Sequence, residues 1–260
     1  MTAANLEALR RDIIFLGKTF QSNSLRSFFH FGEKAVDSVF REGLQRGAIH
    51  EVFASQAGDA GAATGFIIAL ALRAAASHSP IIWVEEDFAE RENGVPYAAG
   101  LHDFGLAPER LIIVRCSTSQ DVLKAACDSL GTAGMGAVII APWSNPKCLD
   151  LTASRKLLLT AQQADTPAFL LRLGAAPADN AAVTRWMIRA APSRSSGANA
   201  PGHPVFDASL IRNRMGMTGR WLLEWESDDH VFKLGKPVSG PLVSIPSYRS
   251  PQERRSATGN

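Results

Sequence analysis

Apolar residues in this chain come in short unbroken runs, set apart by longer stretches with helical spacing. Ile49–Phe53, Pro80–Val84, Leu111–Val114, Ala137–Ala141 and Ala168–Leu173 are apolar at nearly every position, the pattern of strands buried on both faces. Between them Ala62–Ala76, Tyr97–Phe104, Gln120–Leu130 and Thr152–Gln163 read as helices, with Gly105 and Gly131 closing two of them. Strands separated by helices of this length predict βαβ crossovers and a mainly parallel α/β sheet flanked by helices. After Leu173 the pattern changes. Thr184–Ala190 and Gly219–Glu226 look like strands, joined through a Ser/Gly/Pro-rich stretch at 192–204 and the Arg212–Gly216 region. They predict an antiparallel C-terminal extension on the sheet edge. Trp221, Leu223 and Trp225 fall on one face there, which fits a half-buried edge strand.

The flanks differ from the core. Residues 4–16 carry Leu6, Leu9, Ile13 and Leu16 at roughly helical spacing, and a linker from Gly17 to Lys34 holds Phe28, Phe29 and Phe31. From Gly235 onward Pro, Ser, Gly and Arg dominate, too little apolar material to offset the entropy of ordering. The expected organisation is an N-terminal helix and linker (1–34), a core (35–234) and a disordered tail (235–260). A formal net charge of +2 excludes a strong polyelectrolyte role. Three scattered cysteines without a C-x-x-C pair suit a reducing compartment, and the longest apolar run reads as too short to span a bilayer. The expectation is a cytoplasmic protein with no membrane contact.

The most informative chemistry is a missing residue. Ala54–Gly65 lies between the first core strand and the first long helix, the setting of a phosphate-binding loop G-x-x-x-x-G-K-[ST]. Gly58, Gly61 and Thr64 take that loop's places, yet no lysine occurs between Lys34 and Lys124. Backbone N–H groups at Gly58 and Gly61 could still form an anion-binding turn at a helix N-terminus; the alternative is a glycine turn that lets strand and helix pack closely. Glu85-Glu86-Asp87 follows a buried strand, where an ATPase of this kind places a water-polarising carboxylate; the alternative is a solvated strand end. The magnesium carboxylate expected after a later apolar strand is replaced by Ala141. Six histidines fall singly, so no metal site is expected, and no G-x-S-x-G elbow supports a hydrolase. Arg212 and Arg214 read as a turn with two solvated arginines, and Trp143, Trp186, Trp221 and Trp225 as packing residues. No catalytic residue and no cofactor are expected.

Val36-Asp37 through Gly43-Leu44, Gly47 and Ile49–Val52 resembles the segment leading into a RecA-like core. Tyr97–Leu101, Phe104-Gly105-Leu106 and Arg110–Val114 resemble the helix-to-strand segment that follows in RecA. Within that superfamily the chain is similar to the ImuA family, RecA/SulA-like accessory proteins of bacterial SOS mutagenesis. The similarity lies in Gly47–Ala54, Ala62–Phe66, Leu149–Leu157, Thr184-Arg185-Trp186, Ala191-Pro192-Ser193 and Gly219–Trp225, spanning about residues 35 to 226.

The resemblance implies a RecA-like core with a degenerate P-loop. It further implies a non-catalytic accessory role in SOS-induced error-prone translesion DNA synthesis. The implied partners are RecA, an ImuB-like protein and, through it, an error-prone replicative-type DNA polymerase, with any DNA contact made indirectly. A weak RecA-like ATPase and a SulA-like cell-division inhibitor are the competing readings. The candidate partner-binding residues are the stripe Leu6, Leu9, Ile13 and Leu16 and the tail's Leu242, Val243 and Ile245 with Arg249, Arg254 and Arg255. A helix folded back on its own core and an inert tail are the respective alternatives.

Overall fold

Strands that are apolar at every position need cover on both faces, and the computed structural model, which describes residues 27–94, 96–194, 197 and 202–236, supplies it. The first core strand, β3 (Ile49–Ala54), follows two short strands, β1 (Phe28–Phe29) and β2 (Leu44–Gln45), and a one-turn helix, α1 (Lys34–Asp37). After β3 come α2 (Ala60–Ala74), β4 (Ile81–Glu86), α3 (Asp87–Asn93), α4 (Ala98–Asp103), β5 (Leu111–Cys116), α5 (Ser119–Gly131), β6 (Ala137–Ala141), α6 (Leu151–Ala164) and β7 (Ala168–Arg172). The chain continues through β8 (Thr184–Ala191), β9 (Val205–Asn213), β10 (Gly219–Glu226) and β11 (Val231–Leu234). β3 to β11 form one sheet in the order β11-β10-β9-β8-β3-β7-β6-β4-β5. Helix α2 covers one face; α5 and α6 cover the other over β3 to β7.

The α/β class and the largely parallel sheet are those expected, with two corrections. β8 belongs to the parallel set: it runs alongside β3 with His50 opposite Thr184 and Val52 opposite Trp186. On one face Trp186 and Ile188 are buried against α2 and on the other Arg185 is buried against Glu51, while Arg189 further along is exposed. The antiparallel part is β9 to β11. β9 places Phe206, Ala208 and Leu210 inward and Asp207, Ser209 and Ile211 outward, a pattern hidden behind the Ser/Gly/Pro-rich run before it. Arg212 therefore belongs to a strand, and the neighbouring Arg214 donates to the Asn180 carbonyl at 3.0 Å. β11 is too short for periodicity to reveal. It pairs with β10 and leaves Trp225 fully buried rather than half-buried at an edge.

Phe29 and Phe31, placed in a linker by the sequence, are core residues. Phe31, Phe66, Trp186 and Phe232 are fully buried, with ring centroids from 5.2 Å (Phe31–Phe232) to 6.3 Å (Phe31–Phe66) apart. Such aromatic pairs contribute about 0.5–1.5 kcal/mol each beyond the area they bury. The turn into this cluster is held by Asp37, whose carboxylate accepts the Phe31 and Gly32 N–H groups at 2.8 and 3.1 Å. The span Ala57–Ala74 is long and apolar enough to cross a bilayer, contrary to the expectation that no run is. Here it forms the helix against the sheet, with Phe66, Ile67 and Leu70 fully buried.

His50 ties three strands together. Its Nε2 donates to the Gln45 carbonyl at 2.8 Å, and its Nδ1 accepts from the Thr184 hydroxyl at 2.8 Å, which defines a neutral ring protonated on Nε2. Burial lowers its pKa from 6.5 to about 4, the bond to Gln45 pulling the other way. The unfolded chain therefore binds the extra proton first. The stability due to this neutral ring is complete above pH 6.5 and falls as the pH drops toward 4, by about 3 kcal/mol at 1.36 kcal/mol per unit. Urea midpoints measured across that window should fall with pH in the native chain and fall less steeply in His50→Gln. Equal slopes would refute the assignment.

Candidate functional site

The carboxyl ends of β4, β6 and β7 and the first turns of α2 enclose a cleft of about 210 Å³, lined by Gly61, Thr64, Trp83, Glu85, Ala141 and Leu171 among others. Crevices at the carboxyl ends of parallel strands are where α/β sheets hold ligands. Of the loop residues singled out from sequence, Gly61 and Thr64 line the cleft, while Gly58 sits just before α2 in a 3-10 turn, Ala57–Asp59. Glu85 and Ala141 are register partners on β4 and β6, so the expected polarising carboxylate and the missing magnesium carboxylate stand side by side.

The glycines are not there for packing. A Cβ added at Gly58 or Gly61 would meet nothing within 4 Å, which sets aside the close strand–helix contact expected for them. The residue that decides the electrostatics is one the sequence reading passed over. Asp59 is the N-cap of α2 and only 4% exposed; its Oδ1 accepts the Ala190 N–H at 2.8 Å and its Oδ2 has no hydrogen-bond partner. A helix N-terminus favours an anion, and here the chain supplies its own.

Glu85 is not a solvated strand end either. β4 runs on through Glu86, and Glu85 is 4% exposed because Trp83 and the cleft wall enclose it. The Trp83 indole N–H donates to its Oε2 at 3.0 Å. Its Oε1 has no hydrogen-bond partner: Arg115 Nε lies 3.7 Å away and makes its closer contact, 2.9 Å, with Glu90. Burial raises the Glu85 pKa, the bond from Trp83 and the charge of Arg115 acting against it. Glu86 points to the other face and accepts the Trp143 N–H at 3.1 Å, pinning the segment after β6. Among the described residues no three His, Cys, Asp or Glu side chains gather as a metal would need.

A second charged group lies behind the sheet centre. Glu51, fully buried on β3, accepts from Arg172 at 3.1 Å and Asn180 at 2.9 Å on Oε1, and from Arg185 at 2.7 Å on Oε2. Arg172 also donates to the Ser144 carbonyl and Asn145, and Arg185 to the Ala178 carbonyl and Asn180. Both guanidiniums lie over the Phe53 ring, at 5.6 and 5.7 Å. With its lone pairs and charge satisfied from three sides, this group is a brace.

Set beside known proteins, the chain matches no family model. ImuA proteins from two Caulobacter vibrioides strains, NA1000/CB15N and ATCC 19089/CIP 103742/CB 15, are each 29% identical to it over 215 residues, covering 77% of this chain and 84% of the relative. The chain is similar to ImuA over most of its length. The segments in which it resembles ImuA interlock in space. His50 and Glu51 of one bond Thr184 and Arg185 of another through the β3–β8 register. Trp225 of a third donates its indole N–H to the Phe104 carbonyl at 2.9 Å and stacks on that ring. Gly105 beside it has φ +99°, and a side chain there would run into His230 and the Ser227 carbonyl. The polar residues of these motifs thus hold the fold, while the cleft draws on residues outside most of them.

Leu6, Leu9, Ile13, Leu16, Leu242, Val243, Ile245, Arg249, Arg254 and Arg255 lie outside the described residues. Sequence reasoning missed Asp59, Trp83 and Leu171; only their nearness to the loop and to strand ends could have pointed to them.

The brace makes a direct prediction. Glu51→Ala leaves two buried arginines uncompensated and should lower unfolding free energy by about 3–5 kcal/mol. Asp207→Ala breaks a well-formed pair with Arg220 (2.7 Å) on the exposed sheet face and should cost about 1 kcal/mol or less. Urea denaturation of the two variants checks the ranking, and a similar loss in both would refute it.

Proposed function

We propose that this chain is a non-catalytic, RecA-like accessory protein of SOS-induced error-prone translesion DNA synthesis. It acts in the cytoplasm through contacts with RecA and with an ImuB-like partner, and through that partner with an error-prone replicative-type polymerase. The observation that carries the reading is the similarity to ImuA over 77% of the chain. Two features of the cleft support the non-catalytic part. Ala141 stands beside Glu85 where a magnesium carboxylate would be needed, and an acid, Asp59, rather than a cation occupies the N-cap of α2. The absence of any lysine between Lys34 and Lys124 leaves no cation in the loop to offset it. The degenerate P-loop is thus read as a scaffold for a cleft rather than a nucleotide site.

Cells lacking this chain should lose damage-induced mutagenesis and regain it with the wild-type gene, and retained mutagenesis in the deletion would overturn the role. In calorimetry the purified chain should show no micromolar binding of ATP with Mg²⁺ and no magnesium-dependent hydrolysis. Tight, magnesium-dependent binding would overturn the nucleotide-independent part alone.

A further inference from the structure

The cleft beside α2 has the makings of a cation site. Glu85 is buried in its wall with Oε1 lacking a hydrogen-bond donor, and Asp59, next in the chain to the lining residue Ala60, leaves Oδ2 in the same condition. A buried carboxylate oxygen without a donor costs free energy that an incoming N–H would recover. The nearest cation, Arg115, is held mainly by Glu90, at 2.9 Å against 3.7 Å to Glu85. No lysine or arginine is among the residues lining the cleft. The rest of the wall is an indole and aliphatic carbon, Trp83, Ala141, Leu171 and Leu173. Indole faces attract ammonium and guanidinium groups, and aliphatic walls accept the alkyl stem that carries them.

We infer that the cleft is a binding site for an alkyl ammonium or guanidinium group, with Glu85 as its counter-ion and Trp83, Ala141 and Leu171 around its stem. The group comes from a lysine or arginine side chain of a protein partner or from a small free amine; the chemistry recognised is the same. The inference goes beyond the proposed function and does not rest on it.

The Trp83 indole N–H donates to Glu85 at 3.0 Å, so its ¹⁵N–¹H resonance reports on that carboxylate. The full chain, ¹⁵N-labelled, is titrated with N-acetyl-arginine N-methylamide, N-acetyl-lysine N-methylamide, agmatine and spermidine. A saturable Trp83 shift is expected; stronger binding of the capped residues identifies a protein side chain, and stronger binding of agmatine or spermidine a free amine. Glu85→Gln keeps the shape and removes the charge, and should weaken binding by about tenfold or more, the loss of one charge-assisted hydrogen bond. If that variant does not fold, Gly61→Leu tests the same site. Its new side chain starts from open space and narrows the cleft, so binding should weaken while the melting temperature holds. No Trp83 shift with any of the four probes, or binding that the folded variants leave unchanged, overturns the inference. A parallel titration with magnesium-ATP bears on the nucleotide-independent reading alone.

Discussion

A single carboxylate, that of Glu51, fixes how the middle of this sheet is put together. It lies fully buried on β3 and can remain ionised there only if donors reach it from both neighbouring strands, Arg172 on β7 and Arg185 on β8. That requirement sets which strands flank β3 and in what register, because a shift of one residue would turn the arginines to the other face. On the opposite face His50 imposes the same register through Thr184. Hydrophobic cover holds the layers together, but it discriminates poorly among apolar strands of similar length. The polar pairs supply the discrimination.

The cleft follows from the same architecture with the opposite outcome. In the brace both oxygens of Glu51 have donors, whereas Glu85 in the cleft wall and Asp59 beside α2 each keep one oxygen without one. Both are held by neighbours on the scaffold, Asp59 by the Ala190 N–H and Glu85 by the Trp83 indole. A helix N-terminus that elsewhere would await an anion is already provided with one.

Much of the fold could be read from the chain because burial on two faces leaves an unmistakable trace. β3 to β7 and helices α2, α4, α5 and α6 fall within a few residues of where their apolar runs and helical spacing put them, while α3, in the acidic run after β4, was not expected. Legibility failed where burial was one-sided or local. β8 follows the break in the strand–helix succession and was grouped with the antiparallel strands; β9 was masked by the run before it; and β11, at four residues, carries no period. Phe31 could not be recognised as core because three neighbouring phenylalanines in a segment without periodicity do not say which is buried. The loop read at 54–65 is shorter in the structure, because α2 begins at Ala60. Close packing was one expectation for its glycines, and the open space around Gly58 and Gly61 removes it; the acid between them, Asp59, went unremarked.

The central position of β3 has a consequence for how the chain is made. β3 is the first long strand among the described residues to leave the ribosome, yet its two neighbours are β7 and β8, and the His50–Thr184 bond closes across 134 residues. Everything between them must be synthesised while both edges of β3 and the charge on Glu51 wait without partners. Loop closure over that distance comes before any of the contacts that reward it, which makes assembly slow relative to helical domains and late in translation. The nascent α2, apolar along most of its length, is exposed over the same interval. Shortened forms ending before β8 lack one of the two neighbours of β3 and have no route to the native sheet.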